Sequence, residues 1–324
     1  MRRAALKLVS GAALLWGLVC GLTGCGAAEV AQSCGIEFII LGTAQDAGAP
    51  QIGNNDDPAW RDSSLKGHAT SAALVNHKSG ARYLFEATPD MREQLYRLDE
   101  IAPTKTDTPL GLSGVFLTHA HIGHYAGLIF AGHESAGTKR LNVYAMPRMS
   151  DYLRSNGPWS QLVEFGNIAL QPLAASEAKA LPGGLSVTPY QVPHRDEFSE
   201  TVGFEISGGS KSVLFLPDID SWDEWESYGQ RIEARVAAVD YAFLDASFYD
   251  DNELPGRDMS AIPHPRLKGS MDRFDKLPRA EREKVRFIHF NHTNPARFEG
   301  SEVSKEITRR GYKRAKASER YCLD

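Results

Sequence analysis

Three histidines stand within six residues in the stretch "LTHAHIGHYAGL" at 117–128: His119, His121 and His124. Imidazole is a good ligand for zinc and iron, and histidine combined with carboxylate is typical of hydrolytic and non-haem sites. Further ligand-type residues recur downstream. "VPHRD" carries His194, "LFLPDID" carries Asp218, and "FIHFNHTNP" carries His289 and His292. His119, His194, Asp218 and His289 each follow a run that reads as a buried strand. Strand ends are rigid, and loops leaving them can converge on one rim, which is what metal ligands need. His68, His77 and His133 lack that setting and read as surface or packing residues.

The elements that must position these groups alternate between strands and helices. "IEFIILG" is a buried strand that runs into the Gly-rich loop "TAQDAGAP", which carries Asp46. "TSAALVNHKSGARYLFEAT" reads as a hairpin. "PDMREQLYRL" has helical spacing with Asp90 in its first turn. "SGVFLT" is a buried strand leading straight into the histidine cluster, "YAGLIFAGHE" after it suits a helix, "LNVYAMP" is a strand and "RMSDYLRSN" a short helix. In the second half, "GLSVTPYQVPH" is a strand, "TVGFEISGGSKSVLFLPDID" a hairpin, "YAFLDASF" a strand, and "SEVSKEITRR" a closing helix. This alternation predicts an α/β sandwich of layered, mixed sheets.

In order and spacing, "FLTHAHIGH", "VPHRD", "LFLPDID" and "IHFNH" resemble the metallo-β-lactamase superfamily. "ILGTAQDAGAPQ", "FLDASFYDDNELPGRDM" and "FIHFNHTNP" resemble its pyrroloquinoline-quinone biosynthesis protein B branch. The resemblance spans roughly residues 36–300. It implies an αββα sandwich of two mixed β-sheets flanked by helices, with metals at one edge. It implies His119, His121 and His194 around a first metal, and His124 and His289 around a second, with Asp218 bridging. The family motif has Asp where this chain has Gly123, so the second site lacks one ligand. Asp46 and His292 are the candidates to replace it. His264, in "MSAIPHP", is similar in placement to the catalytic histidine of the tRNase Z branch, which supports proton donation to a leaving group.

The chain has 324 residues, 42% hydrophobic, with a formal net charge of −5. That allows a substantial core and does not suggest nucleic-acid binding. "MRRAALK" followed by the 15-residue apolar run "LVSGAALLWGLVCGL" is short for a membrane span of about 20 residues. With "LTGC" it resembles a bacterial lipoprotein lipobox. The expected organisation is therefore a signal peptide at 1–24, lipidated Cys25 and tether at 25–34, and the metallo-β-lactamase-like domain at 35–324. The expected location is the bacterial cell envelope, lipid-anchored, on the outer membrane facing the periplasm. Cys34 and Cys322 then remain as a possible disulfide or as two unrelated thiols.

These readings predict a metal-dependent hydrolase acting on an ester, lactone, amide or phosphodiester of a small-molecule or peptide substrate. It would use one or two Zn2+ ions to acidify water, with His264 and Asp46 as catalytic groups. The alternatives are an iron-dependent oxidase or hydroxylase like the quinone-biosynthesis branch, or a binding module without catalysis. Substrate choice is expected to lie in loops 51–66 and 250–272.

Overall fold

The computed structural model describes residues 34–324. The expected signal segment, Cys25 and the tether up to residue 33 lie outside the described residues. In chain order the first strands are β1 (Ile36–Gly42), β2 (Ser71–Asn76), β3 (Ala81–Phe85), β4 (Gly114–Phe116), β5 (Leu141–Ala145) and β6 (Ile168–Pro172). Then come β7 (Lys179–Leu181), β8 (Leu185–Gln191), β9 (Val202–Gly208), β10 (Lys211–Leu216), β11 (Tyr241–Asp245), β12 (Val285–Ile288), β13 (Lys313–Arg314) and β14 (Arg320–Cys322).

They form two seven-stranded sheets, ordered β14-β1-β2-β3-β4-β5-β6 and β13-β12-β11-β10-β9-β8-β7. Both sheets are mixed. β1, β2 and β3 are antiparallel, while β3 to β6 run parallel. In the second sheet β7 to β10 are antiparallel and β10 to β13 parallel. Parallel neighbours need helical crossovers, and these cover the outer faces.

Burial divides the apolar residues into three layers. Between the sheets lie Phe38, Ile40, Phe85, Phe116, Phe204, Phe215 and Phe243. Outside the first sheet, Ile39, Leu41 and Val115 pack under Met91, Leu95 and Leu98 of the helix Met91–Ile101 and Met149 and Leu153 of the helix Pro147–Ser155. Outside the second, Leu214, Leu244 and Phe287 pack under Trp225, Val236, Met271 and Ile307 from four helices. The two-residue period of a strand explains why Phe38 and Ile40 face the other sheet while Ile39 and Leu41 face the helices. The architecture is the αββα sandwich that the motifs implied.

Three elements differ from expectation. The stretch after the histidine cluster is one α-turn, Ile122–Tyr125, followed by a 3-10 segment, Ala126–Ala131. The expected loop 250–272 ends in the helix Leu267–Phe274, whose Leu267, Met271 and Phe274 share a buried face. β14 was not foreseen. It pairs with the edge of β1, with Cys322 opposite Glu37. That pairing brings Cys34 and Cys322 together, 5.6 Å apart at Cα, and they form a disulfide across a separation of 288 positions.

Candidate metal centre

Six of the seven groups at the metal edge come from segments that leave strand ends. The segment after β4 carries His119 and His121, β8 leads to His194, β10 to Asp218, β12 to His289, and β1 to Asp46. His124 arrives instead from the α-turn itself. Two donor sets result: His119, His121 and His194, and Asp46, His124, Asp218 and His289, with ligand atoms within 4.8 Å of one another in each.

In the first set, His121 Nδ1 lies 2.9 Å from His119 Nε2 and 3.1 Å from His194 Nε2. The outward nitrogens are fixed by other groups. Thr118 Oγ1 is 2.8 Å from His119 Nδ1, and Asp220 Oδ1 is 2.6 Å from His194 Nδ1. His121 Nε2 faces Glu197 at 3.3 Å. Such outer contacts set the tautomer and ring orientation of a ligating imidazole.

In the second set, His124 Nε2 lies 3.0 Å from Asp46 Oδ1 and 2.9 Å from Asp218 Oδ2. His289 Nε2 is 3.4 Å from each of the same two oxygens. Ser247 Oγ holds His289 Nδ1 at 2.9 Å. Asp218 also stands 3.7 Å from His119 Nε2 and 3.9 Å from His194 Nε2. It therefore lies between the two sets.

Asp46 fills the space beside Gly123, where a Cβ would lie 2.5 Å from the Asp46 Cβ. Its loop is pinned by Gln45 N–H to the Phe290 carbonyl at 2.9 Å and Ala49 N–H to the Gly67 carbonyl at 2.7 Å. His292, the other candidate, is directed away, with Nδ1 2.9 Å from Asn54 Nδ2.

His264 belongs to the same edge. Its Nδ1 is 2.8 Å from Asp245 Oδ2 and 3.6 Å from Asp218 Oδ1. It lines a cleft of about 760 Å³ together with Asp220, Arg273 and Lys276. Several partners were not singled out in the sequence: Glu86, Asp220, Asp245 and Ser247. Their signal was available, since Glu86 and Asp245 also end or follow buried strands (β3 and β11). Glu86 is fully buried, with Oε2 3.5 Å from His124 Nδ1. Both Glu86 and His289 adopt positive φ, 70° and 68°. Such backbone costs about 1–3 kcal/mol per residue and clusters where side chains must be aimed.

The electrostatics separate the two sets. Burial, with the neighbouring His124 charge, holds His119 well below the usual histidine range, and His121 is also lowered, mainly by burial. Burial would lower His124 too, but hydrogen bonds to Asp218, Asp46 and Glu86 carry it well above that range. Burial opposes ionisation of Asp46 and Asp218, yet the surrounding histidines hold both well below the usual carboxylate range. Burial likewise opposes charge on His264, and Asp245, followed by Asp218 and Asp46, pushes it up to about 9.

The residues fit a metal. His289 Nε2 is buried and has no hydrogen-bond partner, although two carboxylates face it. Five imidazoles and two carboxylates are the donor types of zinc and non-haem iron sites.

Residues 81–290 match the model of the β-lactamase superfamily domain. The chain belongs to the metallo-β-lactamase superfamily, as the fold and the ligand order indicate. Within it, the chain is similar to coenzyme PQQ synthesis protein B. The protein of that name from Methylobacterium sp. (strain 4-46) is 25% identical over 303 residues, covering 86% of this chain and 96% of the relative. Zn(2+)-bound PqqB from Methylobacterium extorquens has the same fold, with a TM-score of 0.72 at 22% identity, covering 88% of this chain and 99% of that one. A diphosphatase of the PhnP family shares the fold at a TM-score of 0.61 and 20% identity, covering 88% and 96%. The donor sets support a metal cofactor.

This kinship corrects the reading of the first 25 residues. The relatives matched along nearly their whole length carry the name of a coenzyme synthesis protein and not of a lipoprotein. The lipoprotein, signal-peptide and membrane-anchor expectations are withdrawn.

Proposed function

We propose that this protein is a metal-dependent hydrolase of a small-molecule or peptide ester, lactone, amide or phosphodiester. The observation that carries the reading is the placement of His264 beside both donor sets, 3.6 Å from the bridging Asp218. His119, His121 and His194 would hold one Zn2+, and Asp46, His124 and His289 a second, with Asp218 shared. A metal held there supplies Lewis acidity and brings water closer to ionisation at neutral pH.

The chain's own residues do the rest. Thr118 and Asp220 hold the His119 and His194 rings so that each presents Nε2 inward. Ser247 does the same for His289. Asp245 engages His264 Nδ1, which leaves Nε2 as the atom that passes a proton to a leaving group. The cleft beside His264 has room for a small substrate.

Iron-dependent oxidation is a second reading, since clustered imidazoles with carboxylates suit non-haem iron as well as zinc. Elemental analysis of protein refilled from a mixture of zinc and iron, followed by a hydrolase substrate panel, separates the two. Zinc uptake with turnover lowered about 100-fold or more in His264→Asn supports hydrolysis. Selective iron uptake with no hydrolysis across the panel overturns it.

A further inference from the structure

A second cleft, of about 500 Å³, lies behind the metal edge, and its charge runs against that of the chain. Lys66, Arg97, Arg297, Arg314 and Lys316 line it, with Glu299 as its one acidic lining residue, whereas the whole chain is at −5. Two of these cations are neutralised. Arg297 forks onto buried Asp57 at 2.8 and 3.3 Å, and Lys316 pairs with Glu299 at 2.7 Å. Of the other three, Arg314 has only a long contact to that same Glu299, and Lys66 and Arg97 have none among the described residues.

Among the described residues, Lys66 and Arg97 have no carboxylate within ion-pair distance. Arg97 donates from Nη1 to Ser318 Oγ at 2.8 Å, while its buried Nε has no hydrogen-bond partner. Arg314 is largely buried, donates from Nη1 to the Arg297 carbonyl, and meets Glu299 only at 4.0 Å. Burial pulls its guanidinium below the usual range, against the opposing charges of Glu299 and Glu319. Glu319, just beyond, is already engaged by the Lys316 N–H and the Tyr321 hydroxyl.

Holding like charges together around a partly desolvated cavity is unfavourable unless something negative enters it. Guanidinium forks match the oxygens of phosphate, and a lysine adds a point charge. The hydroxyl of Ser63 adds a neutral donor, whereas that of Ser64 already donates to Asp62 at 2.6 Å. We propose that this cleft binds a small, multiply charged phosphate-bearing molecule, at a site separate from the metal edge. Its floor includes Thr43, Ala44 and Phe290. Phe290 N–H donates to the Thr43 carbonyl at 2.8 Å, and Phe290 follows His289 directly. The bound anion therefore rests on the backbone that carries Asp46 and His289.

The test is calorimetric titration of the purified protein with inorganic pyrophosphate at low ionic strength. Saturable binding is expected, weakened by salt and reduced about ten-fold or more by Lys66→Gln and by Arg97→Gln. Lys66 is exposed, so Lys66→Gln should leave melting temperature and metal content unchanged. The proposal is overturned by the absence of saturable binding. It is equally overturned by binding that both substitutions spare and His119→Ala removes, because pyrophosphate would then sit on the metal edge.

Discussion

Gly123 and Asp46 share one volume. A Cβ built on Gly123 would lie 2.4 Å from Asp46 Cα, 2.5 Å from its Cβ and 2.8 Å from its Cγ. The two ways of supplying the acid, from the helical turn or from the loop after β1, exclude each other sterically.

Gly123→Ala should therefore displace the Asp46 loop and weaken the second metal at least ten-fold, as should Asp46→Ala, with the first metal retained. The double exchange, Asp46→Gly with Gly123→Asp, moves the carboxylate back to the turn and should recover part of that loss. Metal titration of all four proteins reads this. Equal two-metal binding in Asp46→Ala and wild type would end the compensation argument.

His119→Ala and His194→Ala should each abolish tight binding at the first set, because three imidazoles leave no spare ligand. Metal content after dialysis is the measurement. Full occupancy in either variant would show that the set is misassigned.

Acidification should release the two metals in order. Metal binding requires deprotonated imidazoles. His124 is held well above the usual histidine range, so a proton competes for the second set already near neutral pH and gains as pH falls. His119 is held well below that range, so the first set resists protons to lower pH. Metal retained per chain, followed from pH 8 to pH 5, should fall in two steps. Asp46→Ala should remove the earlier one. A single step that Asp46→Ala leaves unmoved would contradict the assignment.

Reduction should destabilise the fold. The Cys34–Cys322 bridge closes 288 positions, for which chain entropy gives an upper figure of about 6 kcal/mol. Cys322→Ser and reduced wild type should melt at similar, lowered temperatures. Two free thiols in protein made under oxidising conditions, seen by mass spectrometry, would refute the bridge.

The histidines were legible because their letters are distinctive and each sits where an apolar run stops. Their supporting acids were harder to read. Asp220 is only two residues past Asp218, but its role depends on meeting His194, 26 positions earlier. Asp245 meets His264 across 19 positions. Nothing in "YLFEAT" alone says that Glu86 turns towards His124. The sheets were legible from alternation, as in β1, whereas β14 is three residues long and gains meaning only beside its partner. The helix Leu267–Phe274 carried an apolar face at 267, 271 and 274 that was readable, but the Gly- and Pro-rich stretch before it drew the segment into a loop. The lipobox-like start was the clearest local motif of all, and the kinship of the whole chain did not follow it.

The neighbours of β1 give the metal edge an order in time. Asp46 lies near the beginning of the described chain, but its loop hydrogen-bonds to Phe290, and the outer edge of β1 is closed by residues 318–322. A ribosome making this chain releases the first acid of the second donor set more than two hundred residues before the strand that locks it in place. Contacts of such separation form late. A nascent chain stalled before residue 288 would carry the HxHxxH cluster and His194 yet lack His289 and the clasp on β1. Metal capture by the second set is then an event of chain completion, and a deletion of the last seven residues would reach Asp46 without touching the site.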